Sequence, residues 1–397
     1  MSFNPLAGGW SSDTQAVRGG LDRTGFQETS EAIFLNSGFV YESAEAAERA
    51  FTGEDERFVY SRYGNPTVAT FQERLRLLEG TEACFATASG MAAVFVALGA
   101  LLAQGDRVVA SRSLFGSCFV ILNEILPRWG VETVFVDGPD LEQWREALSV
   151  PATAVFFESP SNPMQEIVDI RAVCELAHAA GAQVVVDNVF ATPLLQRCTE
   201  LGADVVVYSG TKHIDGQGRV LGGAILGSRE FIDGPVKQLM RHTGPALSSF
   251  NAWVLTKGLE TLSLRVKHSS ASALALAEFL EQQQAVEWVK YPLLASHPQH
   301  ELAASQMSAG GTVLTFALKG GKPEAFALLN ALRVIDISNN LGDSKSLITH
   351  PATTTHRAMG PEGRAAIGLS DGVVRLSVGL EDLDDLQRDL ELALGQL

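Results

Sequence analysis

The sequence is poor in cysteine: four in 397 residues (Cys84, Cys118, Cys174 and Cys198), scattered, with no CxxC pair. That spacing excludes a disulfide framework or a cysteine metal cluster and predicts reduced, buried thiols. A basic excess is lacking too, since 30 Lys and Arg face 46 Asp and Glu for a formal net charge of −16. Nucleic-acid binding by bulk electrostatics needs a basic face, so that partner class is excluded, whereas a small anion in a locally positive site is not. Long apolar runs are missing as well. The longest, "GMAAVFVALGALLA" from residue 90, falls short of the roughly 20 residues a membrane-spanning helix needs. The first twenty residues lack a basic start followed by an apolar stretch, which predicts no secretory signal. A cytoplasmic protein with neither membrane nor nucleic-acid partners is expected.

What is present is ample core material, with 46% hydrophobic and 19% charged residues, in a chain long enough for two or three domains. Residues 1–60 are polar and aperiodic, with weak helix in "SAEAAERAF", and read as an arm for subunit contacts. From about 66 to 230, β-branched runs ("DRVVAS", "VETVFVD", "TAVFFES", "AQVVVDN", "ADVVVYS", "GGAILG") alternate with helical patterns such as "LEQWREAL" and "RAVCELAHAAG". Strands alternating with helices imply a mostly parallel sheet covered on both faces. A helical stretch over 251–284 leads into an α+β remainder: "GGTVLTFALKG" as strand, "EAFALLNAL" as helix, "GVVRLSVGL" as strand, "LDDLQRDLELAL" as helix. The predicted organisation is an arm (1–60), an α/β domain (61–250) and a smaller C-terminal α+β domain (251–397).

Ligands of open α/β sheets sit at the carboxyl ends of the strands. The residues just past those ends are Glu158 to Asn162, Asp187, and Ser209, Thr211 and Lys212. Taken singly, Asp187 would pass for a turn former and Lys212 for a surface lysine. An acid and a lysine after two consecutive strands, facing one crevice, match the needs of pyridoxal 5′-phosphate. That cofactor takes a lysine as Schiff base and an acid on its ring nitrogen. Its phosphate needs backbone N–H groups at a helix start, which Ser89-Gly90-Met91 opens, with Ser209 and Thr211 as further donors. The glycines of "GQGRVLGG" do not form a dinucleotide fingerprint, because Gly222 and Gly223 open a strand rather than a helix. They read as tight turns near the cofactor.

These stretches, with "YSRYGNPT", "ATASGMAA", "ESPSNP", "VVVDNVFATP", "YSGTKHIDGQG", "SLITHPATTTH" and "VRLSVGLED" in that order, resemble the cysteine and methionine metabolism family of pyridoxal-phosphate enzymes. The match runs nearly end to end, and the nearest branch is the bacterial sulfhydrylases that use O-succinylhomoserine. The resemblance implies the aspartate-aminotransferase-like fold (fold type I), and a homo-oligomer, expected as a tetramer built as a dimer of dimers. It also implies γ-replacement on O-succinylhomoserine by sulfide, giving homocysteine and succinate for methionine biosynthesis. Residue by residue, it makes Lys212 the Schiff-base lysine and Asp187 the partner of the ring nitrogen. Gly90, Met91, Ser209 and Thr211 fall in the phosphate cradle, and Tyr60 and Arg62 reach a neighbouring subunit's phosphate. Phe115 stacks on the ring, Asn162 lies near the ring hydroxyl, Asn340 borders the substrate, and Arg375 clamps the substrate α-carboxylate.

Two positions depart from the family pattern. Phe115 stands where a tyrosine is usual, which keeps the stacking and removes the hydroxyl. Asn340-Leu341-Gly342 stands where Ser-Leu-Gly is frequent. Ser117 replaces the cysteine typical of methionine γ-lyases and argues against that activity. The alternatives in the family are cystathionine γ-synthase and a γ-lyase; outside it, a non-catalytic protein of the same fold. His350 with His356, and His297 with His300, lack metal-ligand spacing, so loop or channel roles and no metal are expected.

Overall fold

The computed structural model describes residues 9–397, so the first eight residues of the expected arm lie outside the description. Seven strands form the larger sheet: β1 (Ala83–Thr87), β2 (Arg107–Ser111), β3 (Glu132–Val136), β4 (Ala154–Glu158), β5 (Gln183–Asp187), β6 (Val205–Ser209) and β7 (Gly223–Gly227). Their order is β1-β7-β6-β5-β4-β2-β3. All neighbours from β6 to β3 pair in parallel, and only β7 runs antiparallel to its two neighbours. The expected mostly parallel sheet is therefore present.

Both faces of this sheet are buried, and strand periodicity decides which side chain goes where. Val109, Val155, Phe157, Val184, Val186 and Val206 enter one core. Val108, Ala110, Ala154, Phe156, Val185 and Val207 enter the other. A five-stranded second sheet holds β8 (Val286–Lys290), β9 (Val313–Leu318), β10 (Asp336–Ile337), β11 (Leu347–Thr349) and β12 (Val373–Ser377), in the order β10-β11-β12-β9-β8. The helical stretch before it is two helices, Ser249–Glu260 and Leu262–Glu281. The longer helix runs from one core to the other: Leu262 and Val266 pack in the first, Ala273, Leu276 and Leu280 under the second sheet.

The arm is more structured than its composition implies. A helix α1 (Ser12–Arg18) places Ala16 in the first core, and α2 (Ala44–Thr52) follows the predicted weak helix. Helix α3 (Pro66–Glu79) carries Arg74, fully buried, whose guanidinium donates to the Gly19 carbonyl at 2.8 Å and to Glu31 at 2.5 Å. A buried cation so paired is strongly destabilising to break, which fixes residues 19–31 against the body. The arm nonetheless leaves large apolar side chains exposed: Phe26 is 93% exposed and Val40 88%.

Candidate active site

Helix α4 (Gly90–Leu101) starts directly after β1. Its N-cap, Ser89, accepts the Ala92 N–H at 3.1 Å, and the Thr87 hydroxyl donates to the Ser89 carbonyl at 2.8 Å. The remaining first-turn N–H groups are free to face an anion. Gly90 is required by space: a Cβ there would lie 2.6 Å from the Ser209 Cβ. Gly223 is equally constrained, with a Cβ falling 2.3 Å from the Ser89 carbonyl oxygen. Gly222 and Gly223 thus serve close packing rather than turns. The turn geometry belongs to Gly216 and Gly218, at φ +66° and +65°.

A cavity of about 240 Å³ opens at the carboxyl ends of the parallel strands. Ser89, Gly90, Met91, Phe115, Asn162, Asp187, Ser209, Thr211, Lys212 and Arg375 all line it. The sequence thus named most of one wall. Glu158 and Pro160 stood in the strand-end stretch, and Leu341 beside Asn340, without a role; Cys118, Val189, Phe190 and Leu221 also line it and were not singled out for the site. Glu158 had one visible signal, a charged residue closing a core strand. The apolar members had none, since they look like any core residue.

Lys212 follows β6 on an irregular turn, at φ −92° and ψ −125°. Its amine donates to the Asn340 Oδ1 at 2.6 Å. Burial, then the Arg375 charge, lowers the Lys212 pKa to about 8, against an opposing pull from Asp187. The Asp187 carboxyl at the end of β5 accepts the Val189 N–H at 3.1 Å, and burial raises its pKa. Glu158 lies opposite it in register on β4.

Arg375 comes from the middle of β12 and is fully buried. It donates to Asn162 Oδ1 at 2.9 Å and to the Asn339 and Asn340 carbonyls at 2.9 and 3.2 Å. Its Nε has no partner. A buried guanidinium held only by neutral acceptors keeps its charge for an anionic ligand. His356 is held by backbone: its Nε2 meets the Asn162 carbonyl at 3.1 Å, and burial then Arg375 lower its pKa to about 4. His350 and His297 are likewise bonded to carbonyls of Asp371 and Gln165.

Tyr60 and Arg62 do not join this cavity in their own chain. Arg62 stacks over Tyr60 and Tyr63, with its guanidinium carbon 5.4 and 4.8 Å from the ring centres, and donates to the Arg241 carbonyl. Tyr60 is exposed on the arm. All four cysteines are buried and unpaired.

A family model described as Cys/Met metabolism PLP-dependent enzyme matches residues 13–395. The chain is 71% identical over 394 residues to the O-succinylhomoserine sulfhydrylase of Mycobacterium tuberculosis, covering 98% of this chain and 97% of that one. Identity to the protein of the same name from Pseudomonas aeruginosa is 50%, covering 97% and 95%. L-methionine gamma-lyase of Treponema denticola is 40% identical, covering 97% and 96%. Among solved structures, cystathionine gamma synthase from Xanthomonas oryzae pv. oryzae superposes with a TM-score of 0.93 at 35% identity, covering 98% and 99% of the two chains.

Proposed function

The chain belongs to the Cys/Met metabolism PLP-dependent enzymes, and from that premise we propose that it converts O-succinylhomoserine and sulfide into homocysteine and succinate. The observation that carries this reading is the meeting in one cavity of the Lys212 amine, the Asp187 carboxyl and a buried Arg375. Relatives at 71% and 50% identity bear the name of that reaction.

The residues present fit pyridoxal 5′-phosphate, since the Gly90 cradle has no room for a side chain and the Arg375 Nε lacks a partner. When bound, that cofactor supplies an electron sink that makes the Cα and Cβ protons of an amino acid acidic. Lys212 would hold it, with Asp187 at its ring nitrogen, Phe115 against its ring and Asn162 beside it. The α4 N–H groups of Gly90 and Met91, with Ser209 and Thr211, would hold its phosphate.

Arg375 binds the substrate α-carboxylate with its free edge. Because the Lys212 pKa lies near 8, a useful share of its amine is neutral and able to take the Cα proton. Asn340 orients that amine and borders the substrate. Succinate leaves from Cγ, sulfide forms the new C–S bond there, and Lys212 returns a proton to Cα. Phe115 has no hydroxyl, so proton handling near the ring falls to the lysine.

The assembly is a homo-oligomer, a tetramer as a dimer of dimers, in which Tyr60 and Arg62 reach the neighbour's phosphate cradle. Their position outside the cavity of their own chain and the exposed apolar side chains of the arm support this. The division into arm (1–60), cofactor domain (61–250) and C-terminal domain (251–397) belongs to the same reading, as does a place in the cytoplasm. No helix of the described residues is long and apolar enough to cross a membrane.

Lys212→Ala tests the site assignment. The variant is expected to lose the visible absorption of covalently held cofactor and nearly all turnover. Full activity with retained absorption would place the chemistry on another residue.

A further inference from the structure

Glu158 closes β4, a strand buried along its whole length between two apolar cores. An apolar residue would suit that position, because a buried carboxyl is costly unless its hydrogen bonds are satisfied. Here the cost is raised by a second acid. Asp187 stands beside Glu158 in register on β5, and a carboxylate oxygen of each lies within 4.8 Å of the other and of the Cys118 Sγ. Nothing in the chemistry above uses Glu158.

Its contacts say what it does. The Phe115 N–H donates to Glu158 Oε1 at 2.7 Å, across 43 residues of sequence. The Asn162 N–H and the Cys118 thiol face its carboxyl and pull its pKa down, against the larger effects of burial and Asp187. From the opposite side the same turn is confined by Thr355, whose carbonyl oxygen would lie 2.7 Å from any Cβ on Gly116. Glu158 therefore ties the Phe115 turn after β2 to the end of β4, where it stands beside Asp187 at the end of β5.

We propose that Glu158 is a positioning residue of the active site, a buried carboxyl that fixes the Phe115 ring relative to Asp187 and so sets where a flat aromatic ligand lies between them. Burial and the neighbouring Asp187 both favour its protonated form. In that form it accepts the Phe115 N–H through one oxygen and keeps a donor on the other, adding no second negative charge beside Asp187. The cationic groups facing the pair are Lys212 and Arg375 across the cavity. The inference rests on the cavity being the cofactor site, which cofactor binding by the unaltered protein tests separately.

Two conservative variants separate position from charge. Glu158→Gln keeps the reach, the acceptor and neutrality. Glu158→Asp keeps the acid but is one methylene shorter, drawing the acceptor away from Phe115. The readouts are cofactor affinity, the induced circular dichroism of the bound cofactor, and kcat, KM and their pH profile. Glu158→Gln is expected to retain cofactor dichroism, and a kcat within about threefold, with an unmoved pH profile. Glu158→Asp is expected to lose dichroism amplitude and about tenfold or more in kcat, as small misplacements of a reacting group do. An aspartate variant with unaltered dichroism and kcat would overturn the proposal. So would a glutamine variant impaired as much as the aspartate, or one with a moved pH profile. Both variants altering the melting temperature alone would reduce Glu158 to a structural residue and overturn it equally.

Discussion

The amine of Lys212 rests 2.6 Å from the side-chain oxygen of Asn340, and the backbone carbonyl of the same asparagine holds Arg375 at 3.2 Å. One residue thus links the group proposed to move protons with the group proposed to hold the substrate. It brings them together from different sheets, since Lys212 follows β6 and Arg375 lies on β12.

Those two links are separable by mutation. Asn340→Ala removes the side-chain acceptor and leaves the carbonyl, so Arg375 keeps its seat. The expected result is a kcat lower by about tenfold, as for a misoriented reacting group, with KM for the ester nearly unchanged. Steady-state kinetics with varied ester checks it; a raised KM at constant kcat would show that Asn340 serves binding alone.

The charges around Lys212 predict opposite shifts. Arg375 lowers its pKa and Asp187 raises it. In the cofactor-free protein, Arg375→Met should move the Lys212 titration above about 8 and Asp187→Asn should move it further down. The pH dependence of acylation of that amine measures both. The linkage has a definite sign: a lysine depressed in the folded state weakens folding at low pH, and stability recovers as pH rises from the folded pKa toward the unfolded one. Asp187 is raised by burial, so its contribution is present at low pH and lost as pH rises through its folded value. Asp187→Asn should flatten that loss in thermal melts of the cofactor-free protein.

Much of the site was legible because strand ends are legible. Lys212, Asp187 and Ser209 follow β-branched runs whose carboxyl ends must lie together in a parallel sheet. The distant partners were not legible from spacing. Arg375 on composition is an ordinary strand arginine, and its bond to Asn162 spans 213 residues; the motif resemblance, not periodicity, brought it forward. Strand β1, "ACFAT", was missed because small residues carry little strand signal, and it is ordered by antiparallel pairing with β7. Helix α1 was missed in a polar stretch because a single buried residue, Ala16, anchors it. Gly222 and Gly223 looked like turns, but their constraint is contact with Leu255 and Ser89, which only tertiary packing reveals.

The proposed composite sites make a complementation experiment decisive for the assembly. Arg62→Ala and Lys212→Ala should each be inactive alone. Mixed after subunit exchange, they should regain up to about a quarter of wild-type activity, as expected when one of two sites in a mixed dimer is intact. Demonstrated exchange without recovery would mean that Arg62 serves only its own chain.

The most direct measurement concerns the nucleophile. Phe115 leaves no phenol near the ring to manage the proton of a bulky thiol, whereas sulfide is small and substantially ionised near neutral pH. Purified holoenzyme is given O-succinylhomoserine with sulfide and cysteine at matched concentration, and the products are quantified together. Homocysteine is the expected dominant product, formed faster than cystathionine and faster than ammonia is released from methionine. Cystathionine as the dominant product would contradict it and assign the chain to γ-synthase chemistry.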